Sequence, residues 1–181
     1  MRIIAGAWRG RPLLAPPGLG TRPTSDRARE GLFSMLASRI GTFEGLRVAD
    51  LFAGSGALGL EALSRGATYC LFVDGDRNAV TTIERNLASL GAAQFAEVRH
   101  QRVEHLAAPA TPFDLLFLDP PYESGIGEET LAQLCSSSWL APGGWISLET
   151  GGPPPALPDG MAIGAERRFG RATLYLLTRA R

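Results

Sequence analysis

The stretch Leu46-Arg47-Val48-Ala49-Asp50-Leu51-Phe52-Ala53-Gly54-Ser55-Gly56-Ala57-Leu58-Gly59 decides the fold. Its spacing predicts a strand over 46–52, a glycine-rich turn, and a helix over 58–65 stopped by Gly66. A strand that runs through glycines into a helix opens a unit of parallel strands joined by crossover helices. The pattern continues outward from there. A second strand over 69–73 ends at Asp74, and 77–90 reads as a helix with Val80, Ile83, Leu87 and Leu90 on one face. A short strand over 95–99, a short helix over 103–106, a fourth strand over 113–118 and a helix over 128–137 follow. A fifth strand over 145–149 comes after Pro142-Gly143-Gly144. The tail, 161–169 and 172–178 around Gly170, reads as an antiparallel hairpin on the sheet edge. The expected class is α/β, with a seven-stranded, mainly parallel Rossmann-like sheet.

Upstream, 2–4 and 11–14 flank Gly6-Ala7-Trp8-Arg9-Gly10, which suits a small β-hairpin. Pro16-Pro17-Gly18-Leu19-Gly20 makes a loop, and Thr24-Ser25-Asp26 starts a helix carrying Ala28, Leu32, Leu36 and Ile40. Trp8 either stacks on a ligand or packs beneath the hairpin, the commoner fate of a lone tryptophan. The boundaries expected are 1–23 for the hairpin and basic arm and 24–181 for the α/β domain.

The chain has 181 residues, 45% hydrophobic, and formal net charge zero. That neutrality hides an asymmetry. All 18 basic residues are arginine, and Arg2, Arg9, Arg11, Arg22, Arg27, Arg29 and Arg39 crowd the first forty positions against only Asp26 and Glu30. A basic arm on a neutral body suits a polyanionic partner. No apolar run reaches membrane-spanning length and no signal-peptide core follows Met1, so a soluble cytoplasmic protein is expected. Small size without a heptad pattern suggests a monomer. Cys70 and Cys135 read as buried free thiols, and His100 and His105 as surface histidines; none has metal-ligand spacing, and no metal is expected.

In an open α/β sheet, ligands bind beyond the carboxyl ends of the strands. Asp50, Asp74 and Asp119 all fall at such ends and can line one crevice. Gly54, Gly56 and Gly59 spell G-x-G-x-x-G, a pattern shared by nicotinamide-cofactor enzymes and by sulfonium-cofactor enzymes. Asp50 places a carboxylate near a cofactor amine, and Asp74 is set to accept ribose hydroxyls. The pyrophosphate of NAD needs an open helix N-terminus. The sulfonium and amine of S-adenosylmethionine instead prefer carboxylates.

Asp119-Pro120-Pro121-Tyr122 follows the fourth strand. Asp119 and the Pro120 carbonyl accept the two hydrogens of an exocyclic amine, Pro121 stiffens the backbone, and Tyr122 stacks on an extruded base. Asp119 also stabilises the positive charge that develops on nitrogen. The plainer alternative is a proline-rich turn with Asp119 as a cap and Tyr122 as an edge aromatic.

These residues, with Met1-Arg2-Ile3-Ile4-Ala5-Gly6, Trp8-Arg9-Gly10-Arg11, Arg22-Pro23-Thr24-Ser25-Asp26-Arg27, Arg29-Glu30 and 50–66, resemble the RsmD-type 16S rRNA (guanine-N2)-methyltransferases nearly end to end. The resemblance implies a class I methyltransferase using S-adenosyl-L-methionine, bound by Asp50, Phe52, Ala53, Gly54, Ser55, Gly56, Asp74, Gln101 and Asp119. It implies a guanine N2 amine of 16S rRNA in the small ribosomal subunit as target. Arg9, Arg11, Arg22, Thr24, Ser25, Arg27 and Tyr122 would meet the RNA, and Asp119, Pro120, Pro121 and Tyr122 would carry the transfer. Asp74 stands where the family often has Glu, and Gln101 where it often has an acid that touches adenine. Thr24 and Ser25 also suit a plain helix cap. Three alternatives stay open: the same chemistry on adenine N6 or a protein glutamine, an NAD-linked oxidoreductase, and a non-enzymatic RNA-binding assembly factor.

Overall fold

The computed structural model describes residues 1–17, 26–121 and 126–180. Its elements run α1 (Asp26–Ile40), β1 (Arg47–Leu51), α2 (Ala57–Ser64), β2 (Tyr69–Asp74), α3 (Arg77–Leu90), β3 (Ala96–His100), β4 (Phe113–Leu118), α4 (Ile126–Ser136), β5 (Leu140–Thr150), β6 (Met161–Phe169) and β7 (Ala172–Arg179). The strands form one sheet in the order β3-β2-β1-β4-β5-β7-β6. β1 to β5 pair in parallel, and β7 runs antiparallel to both β5 and β6. The sheet is the Rossmann-like arrangement with an antiparallel terminal hairpin that the pattern predicts.

Alternation along the strands builds two cores. Val48, Phe72, Leu115, Phe117 and Leu176 face the layer made by α1, α2 and α3, where Leu32, Phe33, Leu36, Leu60, Ile83 and Leu87 are buried. Leu51, Val73, Leu116, Leu118, Leu148 and Leu177 face the other layer, with Leu131 and Leu134 of α4 and Trp139. Both faces of the central strands are apolar because helices cover both. The chain order reverses between β1 and β4, so their crossovers leave toward opposite faces and open a crevice at their carboxyl ends.

The N-terminal hairpin reduces to one antiparallel bridge, Arg2 to Pro12, with Ile3 N–H donating to the Arg11 carbonyl at 2.9 Å. Ile3 and Leu13 enter the helix-side core, and Trp8 is half-buried against it. β5 departs from expectation. It begins at Leu140, which pairs with Phe113, and the register then shifts. Pro142-Gly143-Gly144 reads as a turn in sequence, but here it is a bulge within the strand, where a residue without an N–H is tolerated. α2 and α4 start one and two residues earlier than their patterns suggest. Cys70 is buried as expected, whereas Cys135 is only half-buried.

Candidate active site

The loop after β1 is held from below. Ala53 N–H donates to the Val73 carbonyl at 3.1 Å, Gly56 N–H to the Ala53 carbonyl at 2.7 Å, and Gly54 N–H to Asp74 Oδ2 at 2.8 Å. Gly54 and Gly56 take φ of 57° and 76°, a region open to glycine at no steric cost. Phe52 has φ 66°, and no other described non-glycine residue has positive φ. A bulky residue there stores roughly 1–3 kcal/mol of strain, and such strain concentrates at ligand-binding turns. Gly59 is fixed by space: a Cβ would lie 2.4 Å from the Phe72 ring and 2.6 Å from the Cys70 sulfur.

Asp50 takes a different position from the one expected. It is 2% exposed and lies under the loop, where Oδ2 accepts the Gly59 N–H at 2.9 Å. It therefore anchors the first turn of α2 to β1. Burial, first, and then the neighbouring Asp119 and Asp74 charges hold its carboxyl well above the ordinary carboxylate range. Asp74 ends β2 with both oxygens accepting backbone N–H groups, Oδ2 from Gly54 and Oδ1 from Asp76 at 2.8 Å. It stays partly exposed, and the remaining lone pairs of its carboxylate can accept further donors.

Asp119 is half-buried just beyond β4, Pro120 is buried and Pro121 is exposed. α4 packs closely on this turn: a Cβ on Gly127 would come within 2.9 Å of Pro120 Cγ. The turn is therefore pinned by a helix as well as by its prolines. Gln101 sits beside the crevice, its N–H bonded to the Asp74 carbonyl at 3.0 Å. Its side-chain Nε2 donates to the His105 carbonyl at 2.8 Å, so only its amide oxygen is left to accept from a ligand amine.

Of the arm residues, Arg9 and Arg27 are exposed. Arg11 is exposed too, and its Nη2 donates to the Ser89 carbonyl at 2.6 Å in the last turn of α3, where the helix end attracts a cation. Arg22, Thr24, Ser25 and Tyr122 lie outside the described residues.

Sequence reasoning missed what fastens the arm. Glu61 of α2 is wholly buried and accepts from Ile4 N–H at 2.8 Å, Ala5 N–H at 3.0 Å and Arg65 Nε at 2.9 Å. The buried Arg29 guanidinium lies 4.0 Å from Glu61, bonds Asp26 at 3.0 Å and donates to the Arg2 carbonyl. Ser64 Oγ accepts the Trp8 N–H at 3.0 Å and donates to the Ala5 carbonyl at 2.6 Å. Asn86 clamps Leu14 and, through Nδ2, the Ser55 carbonyl of the glycine loop at 3.0 Å. A signal was present: one acid inside the otherwise apolar helix Ala57–Ser64 must be paired.

The donor set fits a cation and not a diphosphate. The Gly59 N–H at the start of α2, which would otherwise attract a phosphate, is already given to the Asp50 carboxylate. A second anion would meet Asp50, Asp74 and Asp119 together, and a cation would relieve their mutual repulsion.

Such a sheet, with an acidic crevice at its switch point, is that of the class I methyltransferases. The chain belongs to the RsmD methyltransferase family: the family model described as "Conserved hypothetical protein 95" matches residues 1–178. It is 39% identical over 181 residues to the ribosomal RNA small subunit methyltransferase D of Escherichia coli strain K12, covering 99% of this chain and 90% of that one. It is 42% identical over 154 residues to the protein of the same name from Haemophilus influenzae, covering 83% of this chain and 78% of that one. Among solved structures, "Putative methyltransferase yhhF from Escherichia coli" superposes with a TM-score of 0.87 at 37% identity, covering 99% of this chain and 97% of that one. No described helix is long and apolar enough to cross a membrane.

Asp50→Asn is expected to keep the Gly59 bond through its amide oxygen while removing a buried ionisable group. Because burial raises the Asp50 carboxyl in the fold, ionising it destabilises the protein as pH rises from its unfolded value through its folded one. Melting curves between pH 4 and 8 should therefore fall less with rising pH in the variant. An unchanged pH profile would remove Asp50 as the source of that cost.

Proposed function

We propose that this protein transfers a methyl group from S-adenosyl-L-methionine to the exocyclic N2 amine of a guanine in 16S rRNA of the small ribosomal subunit. The carrying observation is the meeting of Asp50, Asp74 and Asp119 at the carboxyl edge of β1, β2 and β4, beneath a strained glycine loop. The names of the relatives support ribosomal RNA as substrate.

Phe52, Ala53, Gly54, Ser55 and Gly56 would hold the cofactor through the loop backbone, Asp74 its ribose hydroxyls, and the Gln101 amide oxygen its adenine amine. Bound there, S-adenosylmethionine supplies an activated methyl group. The work left to the protein is alignment. A guanine N2 lone pair is delocalised into the ring and is a weak nucleophile. The Asp119 carboxylate and the Pro120 carbonyl would each accept one of its N–H bonds and hold the nitrogen in its pyramidal form. Asp119 would stabilise the positive charge that develops on nitrogen as it receives the methyl group in exchange for sulfur. The proton then leaves to solvent. Tyr122 would stack on the extruded base.

Tritiated-methyl transfer to small subunits purified from cells lacking the protein tests this reading. The expected result is one labelled guanine in 16S rRNA, with N2-methylguanosine as the labelled nucleoside. Label on adenine N6, or transfer to protein alone, would overturn it.

A further inference from the structure

We propose that Arg167 of the terminal hairpin, with Arg27, Arg2 and Arg9, forms one continuous docking track for RNA phosphates beside the catalytic edge. This rests on RNA being the substrate, and it adds an element, the β6–β7 hairpin, that sequence reading did not place at the interface.

Two adjoining grooves carry the inference. One runs between α1 and the hairpin and has Arg27 and Arg167 on its walls. The other runs between α1 and the arm and has Arg2, Arg9 and Arg27 on its walls. They share Arg27 and Glu30, so the four guanidinium groups border one path. Arg2, Arg9, Arg27 and Arg167 are exposed, and no ion pair among the described residues engages their side chains. Of the acids along the path, Asp26 is bonded to Arg29 and Glu30 stands against all four arginines. The balance is cationic, which suits a phosphodiester chain.

The path is rigid and sits at a definite distance from the chemistry. Phe169 rests on Gly31 of α1, where a Cβ would lie 2.3 Å from the ring, so the ring packs directly against the helix backbone. The Arg167 guanidinium lies 5.1 Å over that same ring. Leu118 pairs with Leu148, Glu149 with Leu174, and Leu174 with Arg167. Asp119 and Arg167 therefore belong to one row across the sheet, three strand spacings apart, or about 14 Å. A base extruded toward Asp119 leaves its neighbouring phosphates within reach of this row.

The test is binding of the full-length protein to small subunits across a salt series, with steady-state methylation alongside. Arg167→Gln should lower the slope of log affinity against log salt by about one, raise KM several-fold and leave kcat near that of the unaltered protein. Arg167→Lys should keep the slope. Arg39→Gln, at the far end of α1, serves as the control and should change neither quantity. Arg167→Gln with the slope and KM of the unaltered protein would overturn the track. So would an Arg167→Lys protein whose slope falls as far as that of Arg167→Gln and whose melting temperature is lowered with it, since that marks a purely structural role through Phe169. Failure of the substrate reading itself appears separately, as absence of methylation or salt-dependent binding in the unaltered protein.

Discussion

Asp119→Ala is expected to lower kcat by about 100- to 1,000-fold, the cost of deleting one preorganised group aimed at charge that develops only in the transition state. Three features of the structure make Asp119 the position of largest effect. It sits immediately beyond β4 at the switch point, where the crevice opens. Its turn is pinned by the buried Pro120 against the start of α4, so the carboxylate is placed without reorganisation. Its charge adds to the burial that raises the Asp50 carboxyl, so the two acids are neighbours at the ends of adjacent strands. Binding of S-adenosylmethionine should survive, because Asp74 and the loop backbone remain. Asp119→Asn keeps one acceptor and loses the charge, and it should fall between the two. Single-turnover methylation of small subunits, with calorimetry for the cofactor, separates these effects. Methylation by Asp119→Ala at the rate of the unaltered protein would remove this residue from the reaction.

Glu61→Ala is expected to cost about 3–5 kcal/mol of stability, the range for breaking a buried ion pair by removing one partner. The substitution leaves the wholly buried Arg29 guanidinium with Asp26 as its one carboxylate partner among the described residues, and its Nε and Nη1 already lack hydrogen-bond partners there. It also leaves the Ile4 and Ala5 N–H groups without the acceptor they share. For a chain of this size, a loss of that order lowers the melting temperature by roughly 10 °C. Replacing Arg29 with Met together with Glu61→Gln should recover part of the loss, since no charge is then left buried alone. Urea titration of the three proteins measures the coupling. A Glu61→Ala protein as stable as the starting one would show that the arm is held by its apolar residues alone. The functional consequence follows from where Glu61 points. It holds residues 4 and 5 in place, and with them the base of the loop that carries Arg9.

The class of fold was legible because it depends on periodicity. Alternating strands and helices, broken by Gly66 and Gly91, specify parallel strands with crossovers, and a parallel sheet has few arrangements that satisfy chain handedness. The turn proposed to bind the nucleophile stood out in sequence for a related reason: an acid, two prolines and an aromatic after a strand are local chemistry, and local chemistry survives in one dimension. The depth of each acid was not legible. In sequence Asp50, Asp74 and Asp119 all stand at strand ends. Burial separates them. Asp50 lies beneath the loop at 2% exposure and bonds Gly59, Asp74 braces Gly54 from the crevice side, and Asp119 stands half-exposed at its mouth. Nothing in a chain of letters states how deep a strand end sits.

By itself, then, the sequence determined the alternation of elements, the acidic strand ends and the family they resemble, since each rests on residues close together in the chain. Only the tertiary structure decided that Glu61 and Arg29 fasten the arm, that Arg11 bonds the end of α3, and that Arg167 comes to lie beside α1. Those pairings join positions dozens of residues apart or more, and they exist only once the hydrophobic cores have closed and fixed which charges are buried and which face water.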